Sequence, residues 1–117
     1  MHRTRAETFD DLVLACVERL EPAWGEALAD VDVVVLDVPP PQPAARGLPG
    51  DATSDPVPLG RAVPRHGTHR ARLVLYRRPI ELRADDRLPE LVAEVVVEQV
   101  AALLGRRPEE IDPRYGT

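Results

Sequence analysis

The sequence predicts an α+β protein, in which an N-terminal helix and a long C-terminal helix pack on a small mixed β-sheet of three or four strands. Residues 86–105, DRLPELVAEVVVEQVAALLG, repeat apolar side chains at three- and four-residue steps, as the buried face of a helix does. Residues 31–38, VDVVVLDV, and 70–76, RARLVLY, have the β-branched and apolar density of strands. Residues 8–28 carry apolar side chains at helical spacing.

The N-terminal helix has recognisable boundaries in the sequence. Thr8 is a candidate N-cap, and Pro22 is expected to end or kink the helix. Cys16 falls on the apolar stripe, with no histidine close in sequence to activate a thiolate. We therefore expect Cys16 to be a small buried hydrophobic residue rather than a nucleophile.

The middle of the chain is predicted to be a long loop. Residues 39–64 contain eight of the 13 prolines, and at most one short strand, at 57–63, is expected there at a sheet edge. Asp32 and Asp37 lie five residues apart at the ends of the first strand, so alternation places them on opposite faces as solvated strand ends. The whole chain, 1–117, is predicted to be a single domain that includes this loop.

Composition excludes several kinds of function. The net charge of −5 argues against non-specific binding to nucleic acid phosphates. All 15 basic side chains are arginine, which removes lysine-based catalysis. The single cysteine cannot form an intrachain disulfide or a thiolate zinc cluster. The N-terminus has no apolar signal core and the chain has no membrane-length apolar run, so a soluble, cytoplasmic protein is expected.

The long helix carries one polar exception on its apolar stripe. Asp85 or Asp86 is predicted to cap its first turn, Pro89 suits that turn, and Gly105 suits the left-handed residue after the last turn. Gln99 falls among the valines and leucines of the stripe. A buried amide without a partner costs about 1–3 kcal/mol, so Gln99 is expected either to be hydrogen-bonded or to line a cleft.

Three segments around this helix resemble the small bacterial zincin-like metallopeptidases. They are LYRRPIE at 75–81, VVVEQVAALLG at 95–105 and IDPRYG at 111–116. In that family a valine-rich helix carries His-Glu-x-x-His, then two residues and a Gly, with an Asp soon after. Aligned on Gly105, the four chemical positions of the family fall on residues of other types: Glu98, Gln99, Ala102 and Pro108.

The resemblance implies a minimal zincin-like fold without the zincin chemistry. A zincin binds zinc through two histidines one helical turn apart, and its glutamate takes a proton from the metal-bound water. Ala102 has no lone pair to offer a metal, and the Gln99 amide does not act as a base near neutral pH. We expect a pseudoenzyme with no cofactor, whose cleft binds a peptide or protein segment. Glu94, Glu98 and Gln99 are its predicted binding residues.

Other interpretations stay open at this stage. His66 and His69 could swing over the cleft and join Glu98 in a rebuilt zinc site of a metal-dependent peptidase. Glu94 and Glu98, one turn apart, could hold Ca²⁺, Mg²⁺ or Mn²⁺ weakly, although such a pair is more often a solvated helix face. A structural or regulatory homo-oligomer is the third interpretation. No nucleic acid or membrane partner is expected.

Overall fold

The computed structural model describes residues 3–41 and 57–116, so most of the predicted loop at 39–64 lies outside the described residues. Along the chain, one helix is followed by three strands and then by three helices. They are α1 (Arg5–Leu28), β1 (Val31–Leu36), β2 (Gly60–Val63), β3 (Ala71–Tyr76), α2 (Arg77–Ala84), α3 (Leu88–Leu104) and α4 (Pro108–Ile111). The predicted small α+β fold is confirmed.

Helix α1 begins earlier than the sequence predicted. The hydroxyl of Thr4 accepts a hydrogen bond from the backbone N–H of Glu7 at 3.0 Å, and the Glu7 carboxylate accepts one from the Thr4 N–H at 3.1 Å. This reciprocal capping box lowers the pKa of Glu7 and places the cap at Thr4 rather than at Thr8. The helix continues through Pro22 to Leu28, so the expectation that it ends at Pro22 is wrong, and the alternative of a kink there stays a prediction.

The three strands form one mixed sheet in the order β1-β3-β2. Strand β1 is parallel to β3, with Val33 opposite Leu73, and β2 is antiparallel to β3, with Ala62 opposite Leu73. Residues 73–76 of the central strand β3 are buried, and Leu73 and Leu75 face the helices. Among the described residues, β1 and β2 are therefore the two outer strands of the sheet.

The core lies between the sheet, α1 and α3, and is built mainly from aliphatic side chains. Cys16 is buried within it, and this burial raises the pKa of its thiol, as the predicted inert role requires. The buried side chains of the core cluster are Phe9, Val13, Cys16, Leu20, Leu73, Leu75, Ile80, Val92, Val95, Val96, Val97, Val100, Ala101 and Ile111.

Helix α2 connects β3 to the long helix. Arg77, at its start, joins it to the end of β1, because its guanidinium donates to Asp37 at 3.1 Å and to both carboxylate oxygens of Glu81 at 3.1 and 3.2 Å. The hydrogen bond with Asp37 raises the pKa of Arg77. Asp32 and Asp37 are exposed, as expected of strand ends.

Helix α3 ends as predicted but begins differently. Gly105 adopts the left-handed conformation, with φ of 67°, directly after the last turn. The N-cap is Arg87, without a side-chain hydrogen bond, and Asp85 instead takes a positive φ of 56° in the connection from α2. The buried face includes Val97, Val100 and Ala101, so it is wider than the predicted stripe.

Candidate functional site

Gln99 on helix α3 lies close against Gly60 on strand β2. A Cβ atom placed on Gly60 would lie 3.1 Å from both Cγ and Nε2 of Gln99, and 2.9 Å from the carbonyl oxygen of Val74 on β3. Real Cβ atoms do not approach backbone oxygens this closely, so the position requires glycine. Gly60 therefore makes the room in which the Gln99 side chain lies.

We expect Gly60→Ala to lower the free energy of unfolding by about 1–3 kcal/mol, because the added methyl group has no space. Gln99→Ala should restore only part of this loss, since the contact with the Val74 carbonyl remains. Urea denaturation of the two single variants and the double variant measures both effects.

Gly25→Ala in α1 is the matched control, because its new Cβ would find only Glu21 Cβ at 3.8 Å. That change should be neutral or stabilise the helix by up to about 1 kcal/mol. Equal stability of Gly60→Ala and the wild-type protein would show that α3 does not lie against β2 in this way.

Gln99 is half-buried, and its amide makes no hydrogen bond to any residue in the described parts of the chain. Of the two predicted alternatives for this residue, a hydrogen-bond partner is absent among the described residues, and a cleft at Gln99 stays a prediction. A primary amide has two donor hydrogens and an acceptor oxygen, so it can bind either polar group of a peptide bond. Gln99 occupies the position at which the resembled family carries its glutamate base.

Glu98 lies next to Gln99 on the exposed side of α3 and is bound by the C-terminal segment. The hydroxyl of Tyr115 donates a hydrogen bond to Oε2 of Glu98. This bond is the main reason why the pKa of Tyr115 is raised from 10.0 to about 12, with burial and the charges of Glu98, Glu94 and Glu109 adding to it. The carboxylate at the first-ligand position thus contacts a protein hydroxyl.

Spectrophotometric titration should show Tyr115 ionising near pH 12, and Glu98→Gln should move that pKa back toward 10. Because the pKa is raised in the folded state, the stabilising effect of this bond is fully present below pH 10 and is lost as the pH rises through 12. Subtracting the titration of Tyr115→Phe isolates this residue from Tyr76. A Tyr115 pKa that Glu98→Gln leaves unchanged would contradict the contact.

The other motif-equivalent positions do not supply metal ligands. Ala102 is exposed one turn after Glu98, and Pro108 is half-buried at the start of α4. Glu94 is exposed one turn before Glu98, and its negative charge contributes to the raised pKa of Tyr115. The predicted binding residues Glu94, Glu98 and Gln99 are neighbours on α3, and their role in binding stays a prediction.

Two contacts hold the C-terminal segment to α1, and sequence reasoning missed both. Arg19 donates to the buried carboxylate of Asp112 at 3.1 Å, and the indole N–H of Trp24 donates to the carbonyl of Ile111 at 3.0 Å. Together with the bond between Tyr115 and Glu98, they fix the segment that follows Gly105 against both long helices. Pairing over such a sequence separation leaves no local signal.

His66 and His69 lie at the tip of the hairpin that joins β2 to β3. Their backbones exchange two hydrogen bonds, at 3.1 and 2.8 Å, around Gly67, which has a positive φ of 58°. Both side chains are exposed. The tip is six residues along the strand from Gly60, or about 20 Å. The histidines therefore do not lie beside Gln99 in this structure.

The donor set at the helix does not fit a zincin metal ion. A catalytic zinc needs three protein ligands, whereas the motif positions offer one carboxylate, on Glu98, which is engaged by Tyr115. Within residues 3–41 and 57–116, no group of three His, Cys, Asp or Glu side chains converges for metal binding.

The helices and the mixed sheet define a small α+β protein, and comparison with known families identifies its family. The sequence profile of the zincin-like metallopeptidases matches residues 28–117. The chain therefore belongs to the zincin-like metallopeptidase family, as its resemblance indicated. A comparison with curated proteins gives no match. None of the described helices is long and apolar enough to cross a membrane.

Proposed function

We propose that this family member is non-catalytic and that the junction of β2 and α3 binds an extended peptide or protein segment. The observation that carries the proposal is the Gln99 amide, which lies half-buried against Gly60 without a hydrogen-bond partner in the described part of the chain. It stands beside an outer strand that has no described partner on its far side.

The outer edge of β2 supplies the means of binding. An extended segment that adds to a sheet edge gains backbone hydrogen bonds, while its alternate side chains enter neighbouring pockets. An apolar groove of about 330 Å³ lies at the start of β2, lined by Val57, Leu59, Pro79, Leu82 and Arg83. Leu82 and Val57 are 85% and 58% exposed, which gives an added segment apolar surface to cover.

The motif positions support the absence of catalysis. A zincin without its base or without a ligand loses its rate enhancement, and here Gln99 replaces the base while Ala102 replaces a ligand. Gln99 is nearly isosteric with glutamate, so the helix can pack as in its relatives while the cleft stays uncharged at that position.

Selection of short random peptides against the immobilised protein tests the proposal. We expect extended sequences to be enriched and to shift the amide resonances of β2 and the side-chain NH₂ resonances of Gln99 in NMR spectra. Gly60→Ala, which displaces Gln99, should weaken the selected peptides, and Gly25→Ala should not. Chelator-sensitive cleavage of any of these peptides by the wild-type protein would overturn the non-catalytic assignment.

Self-association is a second candidate, favoured by a different surface. Strand β1 is the other outer strand, and an apolar groove of about 370 Å³ runs between it and α1, lined by Asp10, Val13, Leu14, Val17, Val33 and Val35. Leu14 is 58% exposed and Val33 38% exposed. A molar mass that rises with concentration in light scattering, and returns to the monomer value in Leu14→Ser, would establish this candidate. A monomer at all concentrations would remove it.

A further inference from the structure

The hairpin of β2 and β3 is the most basic part of an acidic chain. Although the whole protein carries a net charge of −5, residues 57–80 contain no aspartate or glutamate. The arginines of residues 57–80 are Arg61, Arg65, Arg70 and Arg72 in the hairpin, and Arg77 and Arg78 at the start of α2. The formal charge of this stretch is therefore opposite in sign to the net charge of the whole chain.

Strand register places two of these arginines on the sheet face that points away from α1 and α3. Arg61 is opposite Val74, and Val63 is opposite Arg72, while Leu73 and Leu75 point to the core. Directly paired residues of antiparallel strands share a face, so Arg61 and Arg72 lie on the same side of the hairpin. Both side chains are exposed.

Most of this positive charge is not neutralised within the described residues. Arg70 is paired with Asp32 at 3.1 Å and with Asp30 at 3.8 Å. Arg61, Arg65 and Arg72 take part in no ion pair with the described residues, although Asp32 stands beside Arg72 in the register of β1 and β3. Three guanidinium groups are left available around the outer edge of β2.

We propose that the segment bound at the β2 edge is acidic, with carboxylates at alternate positions along an extended strand; this inference rests on the proposed function. A residue opposite Arg61 on an added strand would project onto the same face as its guanidinium. A second carboxylate two residues further toward the tip would approach Arg65 and Arg72. Guanidinium groups bind carboxylates with two parallel hydrogen bonds, so they favour this partner.

The backbone edge distinguishes a peptide from other polyanions. A nucleic acid strand cannot form the backbone hydrogen bonds of an added strand, and the net charge of −5 repels its phosphates. An acidic peptide meets both features of the surface, the open strand and the unpaired arginines. We therefore argue for a peptide and treat a nucleic acid as an outcome of the test.

The test is fluorescence anisotropy with a fluorescein-labelled peptide in which Glu alternates with Thr. In matched probes, Gln or Lys replaces Glu, or the glutamates are gathered into one block. Two further probes carry N-methyl groups on alternate backbone amides, one on the odd-numbered and one on the even-numbered residues. A labelled single-stranded oligonucleotide is the remaining probe. The protein is the full chain, measured at low salt and again at about 0.3 M salt, where screening shortens the range of charge interactions.

We expect the alternating Glu peptide to bind most tightly and to weaken about tenfold in the double variant Arg61→Gln, Arg65→Gln. The control is Arg5→Gln, Arg87→Gln, which removes the same charge at two exposed arginines that form no ion pair with the described residues. It should leave binding nearly unchanged. N-methylation should abolish binding only in the peptide whose methylated amides would face β2. Circular dichroism verifies that each protein variant is folded.

The alternative results separate this inference from the proposed function. If the Gln peptide binds as tightly as the Glu peptide and N-methylation still abolishes binding, the groove stands and the acidic preference is overturned. If the peptide with its glutamates in one block and the N-methylated peptides bind as tightly as the alternating Glu peptide, charge acts without strand addition. That result would overturn both the acidic preference and the proposed groove. Tighter binding of the oligonucleotide, or no binding of any probe, also overturns the inference.

Discussion

Three substitutions that place metal ligands at the motif positions, Glu98→His, Ala102→His and Pro108→Asp, are expected to convert the chain into a stoichiometric zinc-binding protein. Residues 98 and 102 are one helical turn apart on the exposed side of α3, the spacing at which two imidazoles hold one ion. Gly105, with φ of 67°, reverses the chain after the helix and leads to residue 108. A site of this type should gain binding free energy on the order of 10 kcal/mol.

Isothermal titration with zinc and elemental analysis after dialysis measure this gain. The matched control keeps Ala102 and carries only Glu98→His and Pro108→Asp, so that it lacks one ligand and should bind far more weakly. Adding Gln99→Glu to the triple variant tests whether the cleft still admits a base, with chelator-sensitive peptide cleavage as the readout. A folded triple variant that retains no zinc would show that α3 has lost the zincin arrangement.

Phe9→Ala is expected to lower the free energy of unfolding by about 3–5 kcal/mol, the largest stability effect of any single change proposed for this protein. Phe9 is the chain's one phenylalanine, is fully buried, and belongs to the core cluster that α1 shares with α3 and the sheet. The family match begins at residue 28, where α1 ends. The Phe9→Ala variant therefore tests whether α1 folds together with the residues that the family model matches.

Urea denaturation of Phe9→Ala, compared with Leu14→Ala, separates burial from helix propensity. Leu14 is on the same helix but is 58% exposed, so its truncation should cost well under 1 kcal/mol. We expect one cooperative transition in both variants. A loss at Phe9 no larger than that at Leu14 would show that α1 folds apart from the residues that define the family.

The elements that sequence analysis predicted are those with a strong periodic signal. The valines and leucines of α3 and the apolar alternation of β3 predict these two elements because packing and local propensity agree there. Helix α2 was missed because RRPIELRA contains a proline and only two buried side chains, Ile80 and Ala84. Helix α4, with four residues, is too short to show a period.

Sequence analysis predicted only the part of the candidate site that lies on helix α3. Helical spacing placed Glu94, Glu98 and Gln99 together, and the position of Gln99 on the apolar stripe indicated a cleft. Gln99 packs against Gly60. The sequence did not predict this contact, because the many prolines before β2 obscure where that strand begins and how it pairs. The contact of Glu98 with Tyr115 is likewise set by the path of the chain after Gly105.

We propose that this member of the zincin-like family does not bind the metal of its family. The most direct test is elemental mass spectrometry of the tag-free wild-type protein, after incubation with zinc and exhaustive dialysis against metal-free buffer. We expect the protein to retain less than about a tenth of an equivalent of zinc per chain, the level of adventitious binding. One equivalent of zinc, lost again in His66→Ala, His69→Ala, would contradict the claim and locate a rebuilt site at the hairpin tip.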